Sequence, residues 1–237
     1  MAGEALKRYV NAAGLYYARL LSRHEYRRQR LTRVKERSIE YCFLFGALTS
    51  SAPVTILDVG PGEGALPSLL RSCGYLVTAI DNMKDFWPRG TVNRHYHVIN
   101  DDITDTQLGQ PFDFICCISA LEHIERFDEA VASMFRLLNP GDRLVISFPY
   151  NESYFIENVY RHPEAGYGAN APYICRVYSR AELERWEAEH DWRITEQEYW
   201  RVFSGRYWTS GELLRPPVRA SSEEPHQLTC VMFEKNA

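Results

Sequence analysis

The spacing of apolar and polar positions changes several times along the chain, and each change predicts an element. Over the first 48 residues Leu6, Val10, Ala13, Tyr17 and Leu20 recur at helical spacing. Ser22 followed by Glu25 has the spacing of a capping box, so a second helix is predicted to start there and run through Leu31, Val34 and Cys42 towards Phe45. Thr49 to Pro53 breaks the pattern. Apolar runs then predict strands over 54–59, 75–80, 95–99, 112–118 and 144–148, with helices over 65–73 and about 128–138 and a loop holding Pro88 and Gly90. Pro67 suits the first turn of the helix over 65–73, and Gly74 stands where such a helix is capped. Val131, Met134, Phe135 and Leu138 share one helix face, and Asn139-Pro140-Gly141-Asp142 predicts the turn that follows. After Pro149, residues 150–177 have little period and are rich in Tyr, Asn, Pro and Gly. Ser179 and Glu182 form another capping box, for a helix to about 190. Strands near 192–203 and 228–234, joined by a loop with Pro216-Pro217, complete the set, and no internal repeat is present.

Apolar strands separated by helices predict an α/β fold, a mostly parallel sheet with helices on both faces. A chain of 237 residues with 45% hydrophobic content can bury one substantial core. Charge changes the picture more than composition does. Residues 1–48 hold ten Lys/Arg against four acids, a net +6, which leaves −10 on the remainder of a chain that is −4 overall. Such a basic segment suits nucleic acid, an acidic membrane surface, an acidic partner or simply a solvated helix face. The six cysteines form no Cys-x-x-Cys pair, and Cys116 and Cys117 would face opposite sides of a strand. With no secretory pattern at the start, they read as core residues of a reducing cytoplasm. The uncharged stretch from Tyr41 to Leu57 is interrupted by Thr49, Ser50, Ser51 and Pro53 and does not read as a membrane span.

Candidate chemistry begins at Val54-Thr-Ile-Leu-Asp-Val-Gly-Pro-Gly-Glu-Gly64, where a buried strand ends at Asp58 and opens into a loop with Gly60, Gly62 and Gly64. Glycine permits tight turns and close approach of backbone to a ligand. Gly60, Gly62 and Ala65 also satisfy the spacing of a dinucleotide loop, with Asp81 about 20 residues on where a ribose-binding acid is expected. By itself the loop fits two cofactors, or a plain turn between strand and helix.

The order of further motifs separates these readings. From about residue 53 to 235 the chain resembles the class I S-adenosylmethionine-dependent methyltransferases, in Asp58-Val-Gly-Pro-Gly-Glu-Gly64, in Asp81 at the end of the second strand, in Asn100-Asp101-Asp102-Ile103 after the third, in Phe112 to Ile124 and in Asn139-Pro140-Gly141-Asp142 before the fifth. The resemblance implies a Rossmann-like, seven-stranded, mostly parallel sheet with helices on both faces and an antiparallel last strand, and the helical pattern over 1–48 is read as a cap that precedes it. It also implies a cofactor site for S-adenosylmethionine formed by Asp58, Gly60, Gly62, Gly64, Asp81, Asn82, Asp102, Ile103 and Ser119. Asp58 would orient the ammonium, Asp81 would hold the ribose hydroxyls, and Asp102, with Asp101 as its near competitor, would meet the adenine amino group. His123, in Glu122-His123 after the fourth strand, is either a general base or a residue packed beneath the site.

Methyl acceptors of this family are chosen by segments grafted onto the sheet. The cap and the insertion over 150–177 are the candidates here, the insertion offering Tyr150, Asn151, Arg161, His162 and Tyr173 beside Tyr154, Tyr160, Tyr167 and Arg176. Aromatic, amide and guanidinium groups suit a sugar or another hydroxylated small molecule, and Tyr173 to Trp186 resembles methyltransferases acting on sugars, polysaccharides or secondary metabolites. A small-molecule O-methyltransferase is therefore expected, against a nucleic-acid methyltransferase that uses the basic cap, a non-catalytic cofactor-binding protein and an NAD dehydrogenase. The Asn/Asp-Pro-Pro-Tyr element of nucleic-acid amine methyltransferases is absent after the fourth strand, and no His-Glu-x-x-His or comparable metal-ligand set is found.

Overall fold

The uninterrupted apolar runs are strands of one sheet covered on both sides. The computed structural model describes residues 2–28, 35–83, 93–166 and 168–236. Leu31, Val34, the loop with Pro88 and Gly90, and Tyr167 lie outside them. Two units are distinguished, Met1–Val34 and Lys35–Ala237.

The first contains α1 (Ala2–Arg28), which runs through Ser22 without interruption. The helix start predicted at Ser22 is thus corrected: its hydroxyl donates to the carbonyl of Ala18 one turn back, at 2.9 Å, and is not used as a cap. Leu6, Tyr9, Val10, Tyr17 and Leu20 of α1 are exposed.

The second unit runs α2 (Arg37–Ser51), β1 (Thr55–Val59), α3 (Leu66–Ser72), β2 (Leu76–Asp81), β3 (Ile99–Asn100), β4 (Phe112–Ile118), α4 (Phe127–Arg136), β5 (Leu138–Pro149), α5 (Arg180–His190), β6 (Trp192–Phe203), β7 (Leu213–Ala220) and β8 (Leu228–Lys235). The strand order is β3-β2-β1-β4-β5-β8-β6-β7. Strands β1 to β5 pair in parallel, and β8 runs antiparallel between β5 and β6. The chain builds outwards from β1 to β3 and then returns to lay β4 on the other side of β1. Loops at the carboxyl ends of β1 and β4 therefore diverge and leave a crevice, where open α/β sheets bind their ligands.

The sheet has eight strands among the described residues, one more than the seven expected. The extra strand is β7, antiparallel to β6, where Pro216-Pro217 had pointed to a loop. Proline lacks the amide hydrogen a ladder needs and is tolerated at edges and bulges. Both conditions hold here, because β7 is the outermost strand and its pairing is irregular between Leu213 and Val218. The Asn139–Asp142 turn is present but lies within β5. Asp142 accepts from the Asn139 amide at 2.9 Å, Gly141 has φ +87°, and the register jumps from Phe112↔Leu138 to Phe114↔Arg143.

Residues alternate between two cores. On one face Leu57, Ile115, Cys117, Ile146 and Phe233 pack with Val131 and Met134 of α4 and with Leu183 and Trp186 of α5. On the other, Ile56, Phe114, Cys116, Val145 and Met232 pack with Phe43, Leu44 and Leu48 of α2 and with Leu66 and Leu70 of α3. Cys116 and Cys117 do face opposite sides. Helix α5 starts at the expected capping box, the Ser179 amide donating to Glu182 Oε2 at 2.8 Å. Its Trp186 is fully buried with the rings of Phe127, Phe148 and Tyr178 about it. Replacing Trp186 by Ala opens a cavity at the centre of that face, with an expected loss of about 3–5 kcal/mol, read as a lower midpoint in urea unfolding; Ser22→Ala is expected to leave the midpoint unchanged.

Candidate active site

The carboxyl ends of β1, β2, β3 and β4 enclose a cavity of about 570 Å³. Every residue expected at the cofactor lines it: Asp58, Gly60, Gly62, Gly64, Asp81, Asn82, Asp102, Ile103 and Ser119, with His123 among them. Their convergence follows from the parallel register, since Asp58 pairs with Ala79 of β2 and Cys116 of β4 and the strands end together.

The glycine loop is held from three sides. Gly60 has φ +72°, and a Cβ added there would lie 2.6 Å from the Cβ of Ala120. A Cβ on Gly64 would lie 2.8 Å from the Pro61 carbonyl oxygen. Both positions exclude larger residues. The Gly62 amide donates to Asp81 Oδ2 at 2.8 Å, and buried Asn93 donates from Nδ2 to the carbonyls of Gly62 and Gly64 at 2.7 and 2.8 Å. Asn93 carries no sequence signal, because it clamps the loop from 29 residues away.

Asp58 is 1% exposed, and burial, the largest influence, pushes its carboxyl up to about 7. The Cys116 thiol donates to Oδ1 at 3.6 Å and opposes that shift, while Oδ2 is buried without a partner among the described residues. Next to β3, Asp102 Oδ1 accepts from the Thr104 amide and hydroxyl, and Oδ2 accepts from Asn82 Nδ2 at 3.2 Å. Asp101 also lines the cavity, but its oxygens accept from the Asp102 amide and the Thr106 hydroxyl.

At the end of β4, Ser119 adopts φ +45°, a left-handed conformation uncommon for a side chain larger than glycine. It is held by its amide, bonded to the Ser147 carbonyl at 3.0 Å, and by its hydroxyl, bonded to Glu40 Oε1 at 2.5 Å. Glu40 is fully buried on α2 and also accepts from the Ser147 hydroxyl at 2.7 Å and from Arg37 Nη1 at 3.1 Å. Arg37 and Tyr41, both missed in the sequence, line the cavity from α2.

His123 Nδ1 lies 2.6 Å from the Ile174 carbonyl oxygen. A carbonyl can only accept, so Nδ1 carries the proton and Nε2 keeps its lone pair. Burial holds the imidazole below its ordinary value. Nε2 is 3.9 Å from Oε1 of Glu122, whose 3% exposed carboxyl is pushed up to about 8 by desolvation and whose Oε2 has no partner among the described residues.

None of the residues expected at the acceptor is among those lining this cavity. Tyr150 is fully buried with its hydroxyl bonded to Glu152, Asn151 closes a turn by bonding the Tyr154 carbonyl and the Ser153 and Tyr154 amides, and His162 bonds the Glu164 amide beside the ring of Tyr207. Arg161 is exposed. Tyr173 alone approaches the site, edge-on to His123 with ring centres 4.9 Å apart. The insertion contributes chiefly as a brace: Arg176 bonds the carbonyls of Ile124 and Glu125 and the carboxylate of Glu157, and its amide bonds the Glu122 carbonyl.

A methyltransferase domain model matches residues 23–197, well over half of the chain. The chain is 29% identical over 110 residues to an uncharacterized methyltransferase of Staphylococcus carnosus, covering 46% of this chain and 53% of that protein. It is 30% identical over 100 residues to the mitochondrial ubiquinone biosynthesis O-methyltransferase of Schizosaccharomyces pombe, covering 39% and 36%. It thus spans about half the length of the first and about a third of the second. In fold it is similar to the 1,6-didemethyltoxoflavin-N1-methyltransferase of Burkholderia thailandensis, whose crystal structure holds 1,6-didemethyltoxoflavin and S-adenosylhomocysteine, with a TM-score of 0.57 at 17% identity over 97% of this chain and 90% of that one. The matched region takes in the glycine loop, Asp81, Asp102 and Glu122-His123, and the chain belongs to the methyltransferase domain family.

Proposed function

We propose that the chain is an S-adenosylmethionine-dependent methyltransferase that acts on a hydroxyl of a small acceptor such as a sugar, a polysaccharide unit or a secondary metabolite. The observation that carries this reading is the buried carboxyl of Asp58, one oxygen of which has no partner among the described residues, in the lining of an acid-rich cavity. A carboxyl left without a partner out of water is costly unless a ligand supplies one, and an ammonium is the natural complement. Gly60 and Gly64 leave no room for side chains and let the ligand approach the backbone. Asp81, anchored by the Gly62 amide, suits two ribose hydroxyls. Asp102 and Ile103 offer a polar edge and an apolar surface for an adenine, with Ser119 and Ala120 across the cavity.

When bound, the cofactor supplies a methyl group made electrophilic by its sulfonium. The chain's own task is then to orient the acceptor, exclude water and remove a proton. His123 fits the last role: neutral, fixed by the Ile174 carbonyl and keeping the Nε2 lone pair, it would take the hydroxyl proton at that nitrogen. The name of the S. pombe relative supports oxygen as the acceptor atom, and six free cysteines support a reducing cytoplasm.

His123→Gln is expected to lower kcat by about 10²- to 10⁴-fold with S-adenosylhomocysteine affinity largely unchanged. In the wild type the active form is the neutral imidazole, so kcat/KM should fall as pH drops through a value below the ordinary 6.5; a profile flat down to the carboxylate range would remove the base role.

Asp58 gives a separate test. Between its ordinary value of 3.8 and about 7 the free protein holds a proton that an ammonium partner would expel. Calorimetry at about pH 6 in buffers of different ionisation enthalpy should record proton release when S-adenosylhomocysteine binds. Asp58→Asn should abolish that release and weaken binding about ten- to a hundredfold. Wild-type protein that binds neither S-adenosylmethionine nor its demethylated product would end the reading.

A further inference from the structure

Helix α1 is amphipathic, and its apolar side is exposed. Leu6, Tyr9, Val10, Tyr16, Tyr17 and Leu20 each show between 46% and 77% of their surface. At 3.6 residues per turn these six fall within an arc of about 120°, with Leu21 at its border. From 6 to 20 the arc's one other member is Ala13, so no charge interrupts it. Lys7, Arg8, Arg19 and Arg23 are exposed outside the arc, Lys7 and Arg23 nearest its two borders. Leu15 and Tyr26, also exposed, stand on the opposite side.

Helices draw most of their stability from the packing of such a face, so a cover is expected. Charge selects which. Helix α1 holds six Lys/Arg against two acids, a net +4 that leaves −8 on the rest of a chain that is −4 overall. Two copies of the stripe laid together would set +4 against +4. A nucleic acid would draw the cations onto the contact face, whereas here they stand off the apolar arc. An anionic lipid surface satisfies both parts at once, because the apolar arc sinks to headgroup depth while long basic side chains at its borders reach up to the phosphates. Three of the six named residues are tyrosines, whose rings have an apolar body and a polar tip and gather at that depth. No helix among the described residues is long and apolar enough to cross a membrane; the charges along α1 are those of a helix that lies in the plane of one.

We infer that α1 binds the surface of a membrane rich in anionic phospholipid, with its apolar arc inward. The same surface repels the −8 carried by the rest of the chain, so attachment falls to α1. The inference is independent of the cofactor reading, since no residue of the cavity takes part.

The test is co-sedimentation of the whole chain with vesicles of phosphatidylcholine alone and of phosphatidylcholine mixed with phosphatidylserine. The chain should bind the mixed vesicles, bind the neutral ones poorly, and be released as salt is raised. Arg19→Glu with Arg23→Glu and, separately, Tyr17→Ser with Leu20→Ser should each weaken binding by about tenfold or more, while Leu15→Ser on the opposite side should leave it unchanged. All five positions are exposed, so these substitutions leave the buried cores intact. Absence of binding to mixed vesicles at low salt would overturn the inference. Binding that the Tyr17→Ser, Leu20→Ser variant retains would overturn it too, because adsorption would then be electrostatic alone. Dimers that this variant dissociates, without vesicle binding, would assign the stripe to a second copy. RNA binding that the Arg19→Glu, Arg23→Glu variant loses, again without vesicle binding, would assign α1 to nucleic acid, and either result would displace the membrane.

Discussion

Taking a carboxyl group out of water is the constraint around which this molecule is arranged. Asp58 lies one residue from the end of a strand buried on both faces, and among the described residues only a thiol bonds its carboxyl. Asparagine would be easier to bury and a hydrocarbon easier still. The carboxyl is retained at the one point where β1 gives way to the glycine loop, facing a cavity whose other walls come from β2, β3, β4 and α2. Its raised pKa and its missing partner have one cause, the absence of water, and one remedy, a positively charged ligand group.

A second polar knot makes the cavity possible. Glu40 is inaccessible, but its carboxylate oxygens accept from two serine hydroxyls and a guanidinium, and this ties α2 to the ends of β4 and β5. Ser119 can then hold a left-handed backbone that would otherwise relax, and the residues after it turn into the crevice. From the opposite side the Tyr178 hydroxyl bonds the Leu121 carbonyl, and Arg176 bonds the carbonyls of Ile124 and Glu125. The loop carrying Glu122 and His123 is braced by chain from both directions, which is how an insertion with little regular structure orients an imidazole.

What was legible in the sequence follows from how local each signal is. Asp58 and the three glycines lie within seven residues, and their spacing with Asp81 pointed to a nucleotide-type site; the resemblance to the methyltransferase family then singled out Asp58, Asp81 and Asp102. Strand β4 was placed at 112–118 because only Asp113 interrupts its apolar run, and α5 because Ser179 and Glu182 cap it. The pair Ser22 and Glu25 has the same spacing, but the residues before it already continue a helix, and a serine hydroxyl inside a helix bonds backwards. Arg37, Glu40 and Asn93 were missed since each acts on residues 29 to 107 positions away. Tyr150 and Asn151 were expected at the acceptor from their chemistry alone; the structure uses their polar atoms in local hydrogen bonds.

The outermost strand carries one more consequence. A sheet that ends in an exposed strand offers a ladder on which a neighbouring chain can continue, the first step towards association edge to edge. On β7 the residues at 216 and 217 are both prolines, set in a stretch whose own pairing is already irregular, with Arg215 and Arg219 on either side. Backbone donors in a strand point alternately to its two sides, so of two adjacent prolines one removes a donor from the open edge, and with the irregular pairing and the flanking cations this interrupts the seam a partner strand would need. The feature that hid β7 from sequence pattern is thus one that keeps this border of the molecule from growing.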